Sequence, residues 1–125
     1  MTIDLPTPSS DALRIEASFD SGVLTARFVG TADLETRSYL DAVVQRLHAQ
    51  ALREKAATVV VDFRELEFMS SSSFKVFVSW LGAVRELPSD LQYGITLRSN
   101  PELHWQRRSL SALSAFAGDL VALET

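Results

Sequence analysis

A chain of 125 residues, 46% hydrophobic and 22% charged, fits one globular domain, because a split would leave two fragments too small to hold a core. The absence of cysteine removes disulfides, thiolate nucleophiles and cysteine-based metal centres, and suits a reducing cytoplasm. A formal net charge of −4 excludes a general phosphate-backbone binder: Arg107 and Arg108, with Arg98 nearby, are too few to make a nucleic-acid footprint.

Met1 to Ser10 is polar and proline-bearing, without the basic-then-apolar order of a signal peptide. Residues 1–11 are therefore expected to be a poorly ordered lead, and residues 12–125 the single domain. Ala12 to Phe19 alternates, with Leu13, Ile15, Ala17 and Phe19 on one face, and Val23 to Val29 alternates again after the turn residues Asp20, Ser21 and Gly22. The two runs predict a β-hairpin ended by Gly30. The period then changes: Leu40, Val43, Val44, Leu47 and Ala51 recur at steps of three and four, as on the buried stripe of a helix. Thr31 or Asp33 is placed to cap it.

Thr58 to Phe63 is a continuous β-branched run, the pattern of a central strand buried on both faces with helices against each side. Arg64 to Met69 reads as a loop leading to Ser70–Ser73, and Phe74, Phe77, Val78, Leu81 and Val84 keep helical spacing up to Pro88. Tyr93 to Arg98 predicts a strand, Pro101 to Ala117 a helix, and Leu120 to Leu123 a final strand. The order β-β-α-β-α-β-α-β argues for an α/β fold with a mostly parallel sheet and an N-terminal antiparallel hairpin. No apolar stretch nears the roughly 18 residues that crossing a bilayer requires, so no membrane span is expected.

Catalytic chemistry has little footing. His48 falls in the middle of the first helix, on or near its polar side, and His104 at the start of the third, with no H-x-x-x-H or H-E-x-x-H spacing. The glycines make neither G-x-G-x-x-G nor a P-loop, and G-x-S-x-G is absent. Asp62 with Glu65 or Glu67 is the one conceivable acid–base pair, and a strand-end aspartate beside solvated glutamates is more often structural. The expectation is a non-enzyme with no cofactor and no metal.

The serine run stands out. One of Ser70, Ser71, Ser72 and Ser73 caps the helix, which is worth about 0.5–2 kcal/mol over alanine. The others fall in the loop or first turn, where a hydroxyl stands beside the positive end of the helix dipole. Capping is the plainer reading. A phosphate of about −2 charge is nevertheless favoured there, so a phospho-switch is permitted. Beyond the run, Val76, Trp80 and Ala83 form a second apolar line, which either lies over the sheet edge at Trp80 or contacts another protein.

Val59 to Phe74, V-V-V-D-F-R-E-L-E-F-M-S-S-S-S-F, resembles the strand, loop and M-D-S-S-G-L motif of STAS domains, the module shared by sulfate transporters and anti-sigma factor antagonists. Gly30-Thr31-Ala32-Asp33 is similar to the family's G-x-[LI]-D, and Asn100-Pro101-Glu102-Leu103 to its closing region, so the resemblance spans about Leu13 to Leu123. It implies a STAS-like fold, with helices packed on a mixed sheet. It also implies a non-catalytic, cytoplasmic partner-switching protein of transcription regulation, phosphorylated at Ser71. The implied partner is an anti-sigma factor or another serine-kinase-like protein, and a homodimer is left open. Asp33, Ser70, Ser72, Ser73, Phe74 and Lys75 make up the implied partner-binding surface. Ser70 and Ser73 stand where the family carries aspartate and glycine, and Phe74 and Lys75 where it carries leucine and glycine. These departures remove a carboxylate and obstruct close approach of a partner backbone. They lend weight to an alternative, a constitutive STAS-type scaffold subunit of a stressosome or lipid-transport complex, without phosphorylation.

Overall fold

A computed structural model describes residues 1–125. Its elements are β1 (Thr2–Ile3), β2 (Leu13–Asp20), β3 (Val23–Ala32), α1 (Arg37–Glu54), β4 (Thr58–Met69), α2 (Ser71–Arg85), β5 (Gly94–Arg98), α3 (His104–Phe116) and β6 (Val121–Glu124). The six strands form one sheet in sequence order. β2 pairs antiparallel with β1 on one side and β3 on the other, and β3 to β6 run parallel through the three helical crossovers. This is the mixed, mostly parallel sheet with an N-terminal hairpin that the periodicity predicts. Ser21 and Gly22 turn the hairpin with φ of 52° and 82°, the positive pair that a tight two-residue turn requires. The lead expected to be poorly ordered contains a short strand: β1 pairs with Ala17 and Ser18, and Ile3 is buried.

Nearest-neighbour crossovers of the usual right hand, all stepping the same way across the sheet, bring their helices to one face. Burial follows that rule. Leu13, Ile15, Leu24, Ala26, Phe28, Val59, Val61, Phe63, Ile95 and Leu97 join the helices' Leu40, Val43, Leu47, Phe77, Leu81 and Leu110 in one core cluster. Phe28, Phe63 and Phe77 lie at its centre, with ring centroids 5.2–5.7 Å apart, and fix α2 over β3 and β4. The expectation of helices against both sides of the central strand is therefore corrected. Val60 and Asp62 are buried, but Val60 lies outside the core cluster: neighbouring side chains on an uncovered sheet face bury them. That face carries ion pairs instead, Arg27 with Glu16 and Glu65, Arg64 with Asp62, and Arg98 with Glu124.

The predicted loop Arg64 to Met69 is a second correction, because β4 continues through it. Its pairing with β3 survives two register shifts, resuming at Val29↔Glu65 and Thr31↔Phe68, and these irregularities disguise the period of two. Gly30 stands at the second shift, where the chain passes close to the start of β2. Its φ is 111°, and a Cβ there would meet Ala12 O at 2.1 Å. On the other side of β4, pairing with β5 stops at Asp62↔Arg98. Beyond it the buried Gln106 of α3 takes over: its Nε2 donates to Phe63 O (2.6 Å) and Leu66 O (3.2 Å), while its Oε1 accepts from Asn100 N (2.7 Å). Asn100 Nδ2 donates to Arg64 O at 3.1 Å. Gln106→Leu leaves these buried groups unpaired, each worth about 1–3 kcal/mol, so a loss of roughly 3 kcal/mol is expected in urea denaturation.

Val76 and Trp80 are also inside, and Ala83, the exposed member of that line, offers only a methyl group, so the line is not an apolar patch for another protein. Trp80 Nε1 donates to the Tyr93 hydroxyl at 2.7 Å, and that oxygen lies 2.6 Å from His48 Nδ1. Indole is only a donor, so the tyrosine proton points to an unprotonated Nδ1. His48 is thus partly buried in this chain, not on the polar side of α1, and burial holds its pKa below the ordinary value. An imidazole that resists protonation when folded gives stability that is full above the unfolded value of about 6.5 and falls as pH drops below it. Urea midpoints measured from pH 7.5 to 5 should decline through this window, and His48→Gln should flatten the decline.

Candidate functional site

β3 and β4 end side by side, and the chain segments that follow them are tied together. Ser70 N donates to Ala32 O at 2.8 Å, and Ser73 Oγ donates to Asp33 O at 3.3 Å. Asp33 and Thr36 make a reciprocal pair, Asp33 N to Thr36 Oγ1 at 2.9 Å and Thr36 N to Asp33 Oδ1 at 3.0 Å. Of the two expected caps, then, Asp33 holds the turn before α1, while Thr36 occupies the cap position itself.

Ser70 is the N-cap of α2: its backbone is extended (φ −72°, ψ 163°) and its Oγ accepts from Ser73 N at 3.2 Å. The hydroxyl protons around it have one consistent direction. Ser73 gives its proton to Asp33 O, so it accepts from Ser70 Oγ at 3.0 Å. Ser70 then has no proton left, and its 3.1 Å contact with Ser72 Oγ is donated by Ser72. Ser70, Ser72 and Ser73 are all committed to the fold. Ser73 is fully buried, so it is corrected from a partner contact to a tether between α2 and the β3–α1 turn.

Ser71 alone is exposed and has no side-chain hydrogen bond. It opens α2, whose first turn holds no acidic residue, and Lys75 is exposed one turn further on the same face. Phe74 is half-buried against the core. Two exposed apolar side chains frame the cluster: Leu34 (73% exposed) beside Asp33, and Phe68 (49%) two residues before the cap. Leu34 lies on no periodic stripe of the sequence. Its signal was an apolar residue set among the polar neighbours of a turn.

The remaining candidates are not drawn together into a catalytic arrangement. Asp62 is held by Arg64, from Nε to Oδ1 at 3.0 Å and from Nη2 to Oδ2 at 2.7 Å, and Glu65 by Arg27. Burial raises the Asp62 pKa, but the Arg64 hydrogen bonds and the charges of Arg64 and Arg98 together outweigh it and leave the carboxyl below its usual range. No group of three or more His, Asp or Glu side chains is placed to hold a metal, and no helix is long and apolar enough to cross a membrane.

A hairpin leading into a parallel sheet in sequence order, with helices on one face and a capped helix at the end of the central strand, defines a STAS-like fold. The comparison with solved structures agrees. The crystal structure of an anti-sigma factor antagonist from Mycobacterium paratuberculosis matches with a TM-score of 0.63 and 17% identity, covering 94% of this chain and 90% of that one. No protein-family model and no curated protein matches the chain. Ser70→Ala, which removes the cap and breaks the hydroxyl chain, should cost about 1–2 kcal/mol in urea denaturation. Ser71→Ala should stay within about 0.5 kcal/mol of the parent.

Proposed function

We propose that the chain is a non-catalytic, cytoplasmic protein-interaction switch of the anti-sigma-antagonist type, in which phosphorylation of Ser71 controls release of a serine-kinase-like partner. One observation carries this reading. Among four consecutive serines, only the Ser71 hydroxyl is both uncovered and uncommitted. A phosphate there adds about −2 charge beside the positive end of α2, with Lys75 on the same helical face to share it, so the fold tolerates the modified state. The partner feels it directly. Leu34 and Phe68 supply apolar anchors around Asp33, Ser70, Ser72, Phe74 and Lys75, and a phosphate set among them disrupts a docked surface by charge and desolvation.

A second reading, the constitutive scaffold, draws on the commitment of Ser70 and Ser73 to the fold at the two positions where the resembled motif carries aspartate and glycine. The two readings separate on one variant. In the switch, phosphopeptide mapping of the chain recovered from its own cells places phosphate on Ser71, and Ser71→Asp weakens binding of the co-purifying kinase at least about tenfold. A chain never modified between Ser70 and Ser73, together with partner binding that survives Ser71→Asp, establishes the scaffold instead.

A further inference from the structure

We infer that the outer edge of β6 and the cleft beneath it bind an extended peptide segment carrying apolar side chains flanked by carboxylates. β6 ends the sheet, with no strand beyond it. Ile95 N donates to Leu120 O at 2.8 Å and Ser99 N to Glu124 O at 2.7 Å, so the even-numbered residues of β6 bond inward to β5. Alternation leaves the N–H and C=O of Leu123 directed outward. The opposite edge is blunted: β1 has two residues, and the amino group and carbonyl of Met1 are both bonded to Phe19.

Beside the open edge, between β6 and α3, lies a cleft of about 180 Å³ with Leu103, Leu110 and Leu123 as its apolar lining and Ser99, Arg107 and Ser111 among its polar residues. Leu123 pairs in register with Leu97 on the helix-covered side of the sheet, yet it is 46% exposed where Leu97 is 2%. The difference is a missing neighbour. A seventh strand, at the usual spacing of about 4.8 Å, would set every second side chain in the Leu123 row, over the cleft.

Charge selects the occupant. The chain as a whole is acidic, but from His104 to Gly118 it contains no carboxylate, and Arg107, which lines the cleft, is exposed and in no ion pair; Glu124 of β6 is neutralised by Arg98, and Glu102 and Asp119 stand outside the two ends of α3. An acidic segment is attracted to this edge and a basic one repelled. Backbone bonds to Leu123 supply affinity, and the cleft and Arg107 supply selection, as in other cases of strand addition. β5 lies between this surface and the strand that ends at the serine cluster.

The test uses a fluorescein-labelled peptide, DTLTVTE, whose alternate residues present leucine and valine between two carboxylates. Anisotropy should report micromolar binding, weakened at least about tenfold by Arg107→Glu. Leu123→Pro, which removes an outward N–H and no ladder bond, should abolish it. If that variant fails to fold, the same peptide N-methylated at alternate amides should fail to bind the unaltered chain. Amide exchange at Leu123 should slow on peptide addition. Absence of binding at millimolar peptide overturns the inference, as does binding indifferent to both Arg107→Glu and backbone methylation. A homodimer dissolved by Leu123→Pro, without peptide binding, overturns it in favour of a second copy of the chain.

Discussion

The buried carboxamide of Gln106 sets the reach of the central strand. β5 runs out at Arg98, and a strand that loses its neighbour inside a protein leaves carbonyls with no partner, a cost comparable to a lost hydrogen bond for each. Gln106 and Asn100 supply donors where β5 no longer can, to Phe63 O, Leu66 O and Arg64 O. β4 can then run on to Met69 beside β3 and deliver Ser70 against Ala32. The serine cluster is therefore positioned from two sides, by β3 through backbone pairing and by α3 through one side chain. Disturbing α3 at Gln106 reaches Ser71 through the end of β4.

Most of the fold was legible because the hydrophobic period was clean. The hairpin, the three helices and the short closing strand follow from alternation or from steps of three and four. The failures have physical causes. Two register shifts broke the period of two in the second half of β4, so a paired strand read as a loop. A continuous apolar run at Thr58 to Phe63 signals burial, but it does not say whether helices or neighbouring side chains do the burying. Hence Val60 and Asp62 suggested a sheet covered on both sides.

The site was legible only in outline. A serine run before an apolar helix announces a cap, but which serine caps, and which hydroxyl is left over, depends on proton direction through Ser72, Ser70, Ser73 and Asp33 O, a tertiary arrangement no local pattern encodes. Gln106 gave still less warning. It stands among arginines and serines on α3 with no pattern to mark it, and it is 1% exposed.

The bare face of the sheet bears on how far such a sequence can drift. With helices on one side only, the fold is dictated by every second residue of each strand, and the intervening positions answer chiefly to solubility and to exposed ion pairs worth about 1 kcal/mol or less. Apart from Val60 and Asp62, which are buried in the middle of β4, these intervening positions are only lightly constrained. A backbone that matches another solved structure over 94% of this chain, with 17% of residues identical, is what so lightly constrained a scaffold permits.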